Sequence, residues 1–180
     1  SGPVAADPVS ITPSEDLSGD GTSNDPYEIT NASELQSMRN ERDAHYELTE
    51  DVNATNTSGW YSGDGFEPIG APSTPFNGSF EGNDFTISNL SVDRVHTDYV
   101  GLFGFVNESG RIANVTLESA DIIAQQNAGV IAGQNDGAIV RSNASGSISS
   151  EPFDDISRVG GLVGHNDGSI TRSNTSVDVT

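Results

Sequence analysis

The chain has 180 residues, of which 27 are acidic and 7 basic, giving a formal net charge of −20 with arginine as the only strong base. So one-signed a surface has no basic patch for phosphate, which disfavours nucleic acid as a partner. It also repels itself in dilute buffer and is tolerable at molar salt, where the Debye length falls to about 3 Å.

This charge pattern points to a haloarchaeal setting, with an acidic calcium-binding surface protein of a marine bacterium as the alternative. Cysteine is absent, so disulfides and thiolate metal sites are excluded. No apolar stretch approaches the length of a membrane-spanning helix. One domain is the default for this length.

Residues 1–18 carry three prolines and no helical period, so they are expected to be extended or disordered. Val4, Val9 and Ile11 are spaced among small residues, and this arm can add a strand to a neighbouring molecule. The chain starts at Ser1 with no apolar leader, as a mature form or an expressed fragment would. Residues 19–75 read as a capping module. There Asn31 and Glu34 fit a capping box, and Leu35 and Met38 share one face of a short helix that covers the first rung of a stack. Tyr27, Trp60 and Tyr61 are caps over that rung, or else stacking platforms for a sugar.

Residues 76–180 read as a regular stack. Ala128–Ile139 and Val159–Ile170 nearly repeat each other, and Tyr99–Ile112 is a looser third copy. Glycine interrupts the units too often for helices, so short β segments stacked in parallel are expected, with Leu102, Ile131 and Leu162 followed by Ile112, Ile139 and Ile170 as repeated interior positions. Phe80, Phe85 and Ile87 extend the interior backward. Ile87 is matched to Ile112, which puts Asn89 and Asn114 in one internal asparagine ladder, replaced by Arg141 and Arg172 in later rungs. The segment 169–180 reads as mid-repeat strand without a polar cap, so the chain is expected to continue past Thr180, or another subunit or segment to complete the sheet.

Gly161-Leu-Val-Gly-His-Asn-Asp-Gly-Ser-Ile170 resembles the GLUG repeat of bacterial and archaeal cell-surface proteins. The upstream Gly19-Asp-Gly-Thr-Ser-Asn-Asp-Pro-Tyr27 and Phe76-Asn-Gly-Ser-Phe-Glu-Gly82 are similar to the prelude of those repeats, so the resemblance runs from about residue 19 to 180. It implies an all-β chain, a right-handed parallel β-helix of the pectate-lyase-like kind displayed outside the cell. It implies no reaction.

Candidate sites are sparse. His45, His96 and His165 are isolated, and no nucleophile elbow occurs, so no catalytic residue is assigned and no enzyme is expected. The turns at 107–110, 135–137 and 166–168 look equivalent, so Glu108, Asp136 and Asp167 form a possible Ca2+ column, with Asp51, Asn53 and Asp64 as a looser second group. Asn-x-Ser/Thr occurs nine times. Asn53, Asn56, Asn77, Asn107, Asn143 and Asn174 are the candidate glycosylation sites, while Asn89 and Asn114 are set aside as internal. The expected role is structural or adhesive on the cell exterior, including as a subunit of a surface filament, through self-association or another surface protein; the alternative is a glycan-binding or polysaccharide-processing β-helix.

Overall fold

A computed structural model describes residues 7–150 and 157–180. In chain order the elements are α1 (Pro13–Asp16), β1 (Tyr27–Ile29), α2 (Ala32–Ser37), β2 (His45–Leu48), β3 (Val52–Asn53), β4 (Ser79–Glu81), β5 (Thr86–Ser88) and β6 (Ser91–Arg94). The glycine-rich half follows with β7 (Phe103–Val106), β8 (Arg111–Ala113), β9 (Thr116–Ala124), β10 (Ala132–Asn135), β11 (Ala138–Val140), β12 (Asn143–Ser150), β13 (Val163–Asn166), β14 (Ser169–Thr171) and β15 (Asn174–Val179). Pro13 at the start of α1 supplies the φ a helix wants and lacks the N–H it would orphan, so the arm turns there instead of running extended throughout.

The strands stack in parallel into three sheets, ordered β1-β2-β4-β8-β11-β14, β13-β10-β7 and β15-β12-β9-β5-β3, with β6 also pairing β9. From β6 onward consecutive strands fall in different sheets, which makes the chain a parallel β-solenoid. Side chains at paired positions form columns along its axis. In the first sheet the inward column runs Tyr27, Tyr46, Phe80, Ile112, Ile139, Ile170. In the second, Phe103 pairs with Ala132 and Ala132 with Val163; in the third, Val52, Ile87, Leu117, Ala144 and Thr175 line up. The core therefore tapers from aromatic at one end to small side chains at the other. Phe76 and Phe80 meet Phe103 at ring-centre distances of 4.7 and 5.9 Å, which puts the densest packing below the first glycine-rich rung.

The rungs approach each other closely just before their first-sheet strands. A Cβ on Gly137 would lie 2.2 Å from the Gly110 carbonyl oxygen, and one on Gly168 would lie 2.1 Å from that of Gly137. These glycines are there because the backbone below leaves no room for a side chain.

The register corrects the match of Ile87 to Ile112. Ile112 pairs with Phe80, whereas Ile87 pairs with Leu117 one sheet further on. Asn89 and Asn114 thus occupy different corners and form no ladder. Both have positive φ, 60° and 54°, as do Arg141 (47°) and Arg172 (53°) in the same column as Asn114. What these positions share is a left-handed backbone, which asparagine tolerates better than other non-glycine residues. Asn89 is exposed, contrary to the internal placement.

Candidate functional site

Three regions carry the polar chemistry: the covered N-terminal end, the Asn-Asp-Gly corners and the last rung. At the covered end, the side chain of Asn31 accepts a hydrogen bond from the Glu34 N–H at 2.9 Å, as a capping residue should. The return arm of the box goes one residue further out, with the Glu34 carboxylate accepting from the Thr30 N–H and hydroxyl at 2.7 and 2.8 Å. Leu35 and Met38 are fully buried under the helix. Gln36 clamps the Glu67 backbone, donating to its carbonyl at 2.9 Å and accepting from its N–H at 2.8 Å.

The arm lies on this end of its own chain. Asp7 accepts from the Tyr61 N–H at 2.7 Å, the Ile11 carbonyl accepts from Asn40 Nδ2 at 2.8 Å, and Glu41 accepts from the Ser14 N–H at 3.0 Å. Of the three assembly residues, Val4 lies outside the described residues, Ile11 is half-buried against its own chain, and Val9 stands 73% exposed. The first rung supplies the polar partners, so from Asp7 onward the arm is a cover and not a strand extended toward a neighbour.

Glu41 is the centre of this contact. Burial pushes its carboxyl up, but the Ser14 N–H and the Tyr27 hydroxyl, at 3.2 Å, hold it below its usual value. The Tyr46 hydroxyl donates to the Glu41 carbonyl at 2.8 Å, and burial, with the Glu41 charge beside it, raises that phenol so that it remains a donor. A carboxyl with a depressed folded pKa stabilises above its unfolded pKa and loses that contribution as pH falls through the folded value. Acidification below the ordinary glutamate value of about 4.5 is therefore expected to release residues 7–16 before the stack opens, seen as faster amide exchange at Ser14. Unchanged exchange at Ser14 down to global unfolding would contradict this.

Trp60 and Tyr27 are buried and cannot serve as sugar platforms. Tyr61 is held between the guanidinium groups of Arg39 and Arg94, 5.8 and 5.7 Å from its ring centre, and accepts from Arg39 Nη1 at 3.0 Å. Arg39 also pairs with Glu67. A groove of about 550 Å³, open to solvent, lies between residues 40–44 and 73–77 and has no aromatic lining.

The corners revise the proposed calcium column. Val106, Asn135 and Asn166 are in register, as are Arg111, Ala138 and Ser169. Three residues, Asn107, Glu108 and Ser109, therefore stand where the later rungs have only Asp136 or Asp167. Glu108 sits in a two-residue excess and is not the equivalent of the two aspartates. Asp136 accepts from Gln134 Nε2 at 2.9 Å, and Asp167 lies 3.3 Å from His165 Nε2. Asp51 accepts from the Thr86 N–H and Asn53 from Thr55, so the looser group is likewise engaged locally. Among the described residues no three His, Cys, Asp or Glu side chains converge as a metal site requires.

An internal asparagine ladder does exist, one residue before those aspartates. Asn135 is fully buried and donates from Nδ2 to Asn166 Oδ1 at 2.8 Å, while Asn166 donates to the Gly168 carbonyl at 3.0 Å. The ladder stops below Asn135 because Val106 occupies the next position, which leaves Asn135 Oδ1 buried without a donor. The signal was present in Asn135-Asp-Gly and Asn166-Asp-Gly, which read from sequence as equivalent turns presenting their aspartates.

The last rung is the third region. β13, β14 and β15 are the outer strands of their sheets, and Leu162, Val163, Ile170 and Val177 are only partly buried, whereas Ile131, Ala132 and Ile139 one rung below are fully covered. Val179 is 47% exposed. No helix among the described residues is long and apolar enough to cross a membrane.

Comparison with known proteins agrees with the repeat geometry. Residues 156–180 match the GLUG motif family. Over 149 residues the chain is 40% identical to halomucin of Haloquadratum walsbyi, an alignment covering 80% of this chain and 2% of that protein. Over 101 residues it is 35% identical to a Gly-rich membrane protein of Evansella cellulosilytica, covering 55% of this chain and 12% of the relative. The chain thus spans a small fraction of the relatives it matches. No solved structure matches. The chain is thus a parallel β-solenoid whose residues 156–180 carry the GLUG motif.

Proposed function

We propose that this chain is a non-enzymatic structural module of an extracellular surface protein, a rigid stack that works in high salt. The observation that carries this reading is the contrast between the two ends. One end is closed by α2, the arm and buried aromatics, while the other presents partly covered Leu162, Val163, Ile170 and Val177 along three strands paired on one side only. Such an edge suits a further rung of the same kind. Similarity to halomucin and to a Gly-rich membrane protein supports a place at the cell surface. The charge supports high salt: 27 acidic residues face 7 arginines, and among the described residues Arg39–Glu67 is the one arginine–carboxylate pair. Self-association or a neighbouring surface protein supplies the partner.

Protease treatment of intact native cells tests this reading. Loss of the chain without lysis is the expected result, and full protection until the cells are broken would overturn it.

A further inference from the structure

The nine Asn-x-Ser/Thr sites look alike in the sequence, but the fold separates them. N-linked transfer needs an amide nitrogen that is exposed and not already donating, together with a hydroxyl two residues on that is placed beside that amide.

Most of the sites fail this requirement. Asn77 Nδ2 donates to Asp43 at 2.6 Å, Asn107 Nδ2 to Asn77 Oδ1 at 2.8 Å, and Asn114 Nδ2 to Glu81 at 2.9 Å. Asn31 Nδ2 donates to the Thr30 hydroxyl and Asn174 Nδ2 to Asn143 Oδ1, each at 3.4 Å, and Asn143 is half-buried. Asn56 and Asn89 are exposed, but the Ser58 hydroxyl is turned away to the Thr55 carbonyl at 3.1 Å, and Asn89 leads into the Leu90–Ser91 backbone held within the third sheet.

Among the described residues Asn53 is the site where all three conditions are seen to meet. It ends β3 on the exposed side of the third sheet, and its Nδ2 donates to none of the described residues. Its Oδ1 accepts from both the N–H and the hydroxyl of Thr55, at 3.0 and 2.6 Å, so the hydroxyl that the motif requires already lies on the amide. Ala54 beneath is fully buried and its N–H is bonded to the Ser88 carbonyl at 2.8 Å, which anchors the segment without covering the side chain.

We propose that Asn53 is the N-glycosylated residue of this chain. The donor is an oligosaccharide linked through phosphate to a polyisoprenoid lipid, presented by a membrane oligosaccharyltransferase. Asn53 Nδ2 forms the bond to the anomeric carbon, the bond from that carbon to the phosphate oxygen breaks, the lipid phosphate leaves with the electron pair, and one Nδ2 proton passes to a base of the transferase. The proposal rests on the extracellular reading, because this chemistry occurs only on the outer side of the membrane.

Cleavage before Asp51 and Asp64 releases residues 51–63, which contain Asn53 and Asn56 and no other site. Mass spectrometry of that peptide, from protein collected off the surface of its native cells, is expected to show one glycan, lost in Asn53→Gln and retained in Asn56→Gln. A surface-exposed chain whose 51–63 peptide is bare, or whose glycan sits on Asn56, Asn77 or Asn107 instead, would overturn the site while leaving the surface reading intact. A chain recovered only from inside the cell and unmodified would sink both.

Discussion

Replacing Phe103 by alanine is expected to destabilise the protein by about 3–5 kcal/mol, the cost of emptying a buried aromatic site that cannot collapse. Phe103 is fully buried, and its ring meets those of Phe76, in the segment before β4, and of Phe80, in β4. Below it the rung is aromatic, and above it Ala132 already occupies the same column, so neither neighbour can reach into the space. The measurement is the denaturant midpoint in molar salt, with the slope checked for two-state behaviour. A loss under about 1 kcal/mol would mean that the rungs are not packed as described. Replacing exposed Glu108 by alanine in the two-residue excess should stay within about 0.5 kcal/mol.

The second large effect is expected at Gly137. Alanine there would put its Cβ 2.2 Å from the Gly110 carbonyl oxygen and 2.5 Å from that of Asn107, both backbone atoms that a rotamer change cannot move. The rung must then separate from the one beneath it, and a loss of roughly 3 kcal/mol follows. That loss distinguishes a stacked backbone from an ordinary loop, where Gly→Ala at negative φ is neutral or mildly stabilising. An unchanged midpoint in Gly137→Ala would contradict the stack.

The parts legible from sequence were those set by side-chain volume and by spacing. Ile112, Ile139 and Ile170 pair as their repeat indicated, Asn31 caps its helix, and Leu35 and Met38 are buried beneath it. The parts that misled were those where one local demand arises at two places. Ile87-Ser-Asn89 imitates Ile112-Ala-Asn114 because both lead into a left-handed corner, yet one corner follows the third sheet's strand and the other follows the first's. Pattern alone records the corner but not which sheet it leaves.

Glu108 was misplaced for a related reason. Asn107-Glu-Ser-Gly110 looks like Asn135-Asp-Gly137, but pairing of Val106 with Asn135 shows that the asparagine itself is offset by one. The arm was the least legible segment, because what holds it is a set of polar partners, Tyr61, Asn40 and Glu41, far away in sequence. Likewise Asn53 is distinguished from eight similar sites by burial and by what the amides and hydroxyls around them have found to bond with.

The central claim is that the covered end is closed and the last rung is a face for another rung. Sedimentation of the chain in molar salt over a wide concentration range tests it most directly, with Val177→Asp and Val9→Asp as the paired variants. Concentration-dependent association that Val177→Asp abolishes and Val9→Asp leaves in place is the predicted result. A chain that stays monomeric at every concentration, or one whose association depends on Val9 instead, would contradict it.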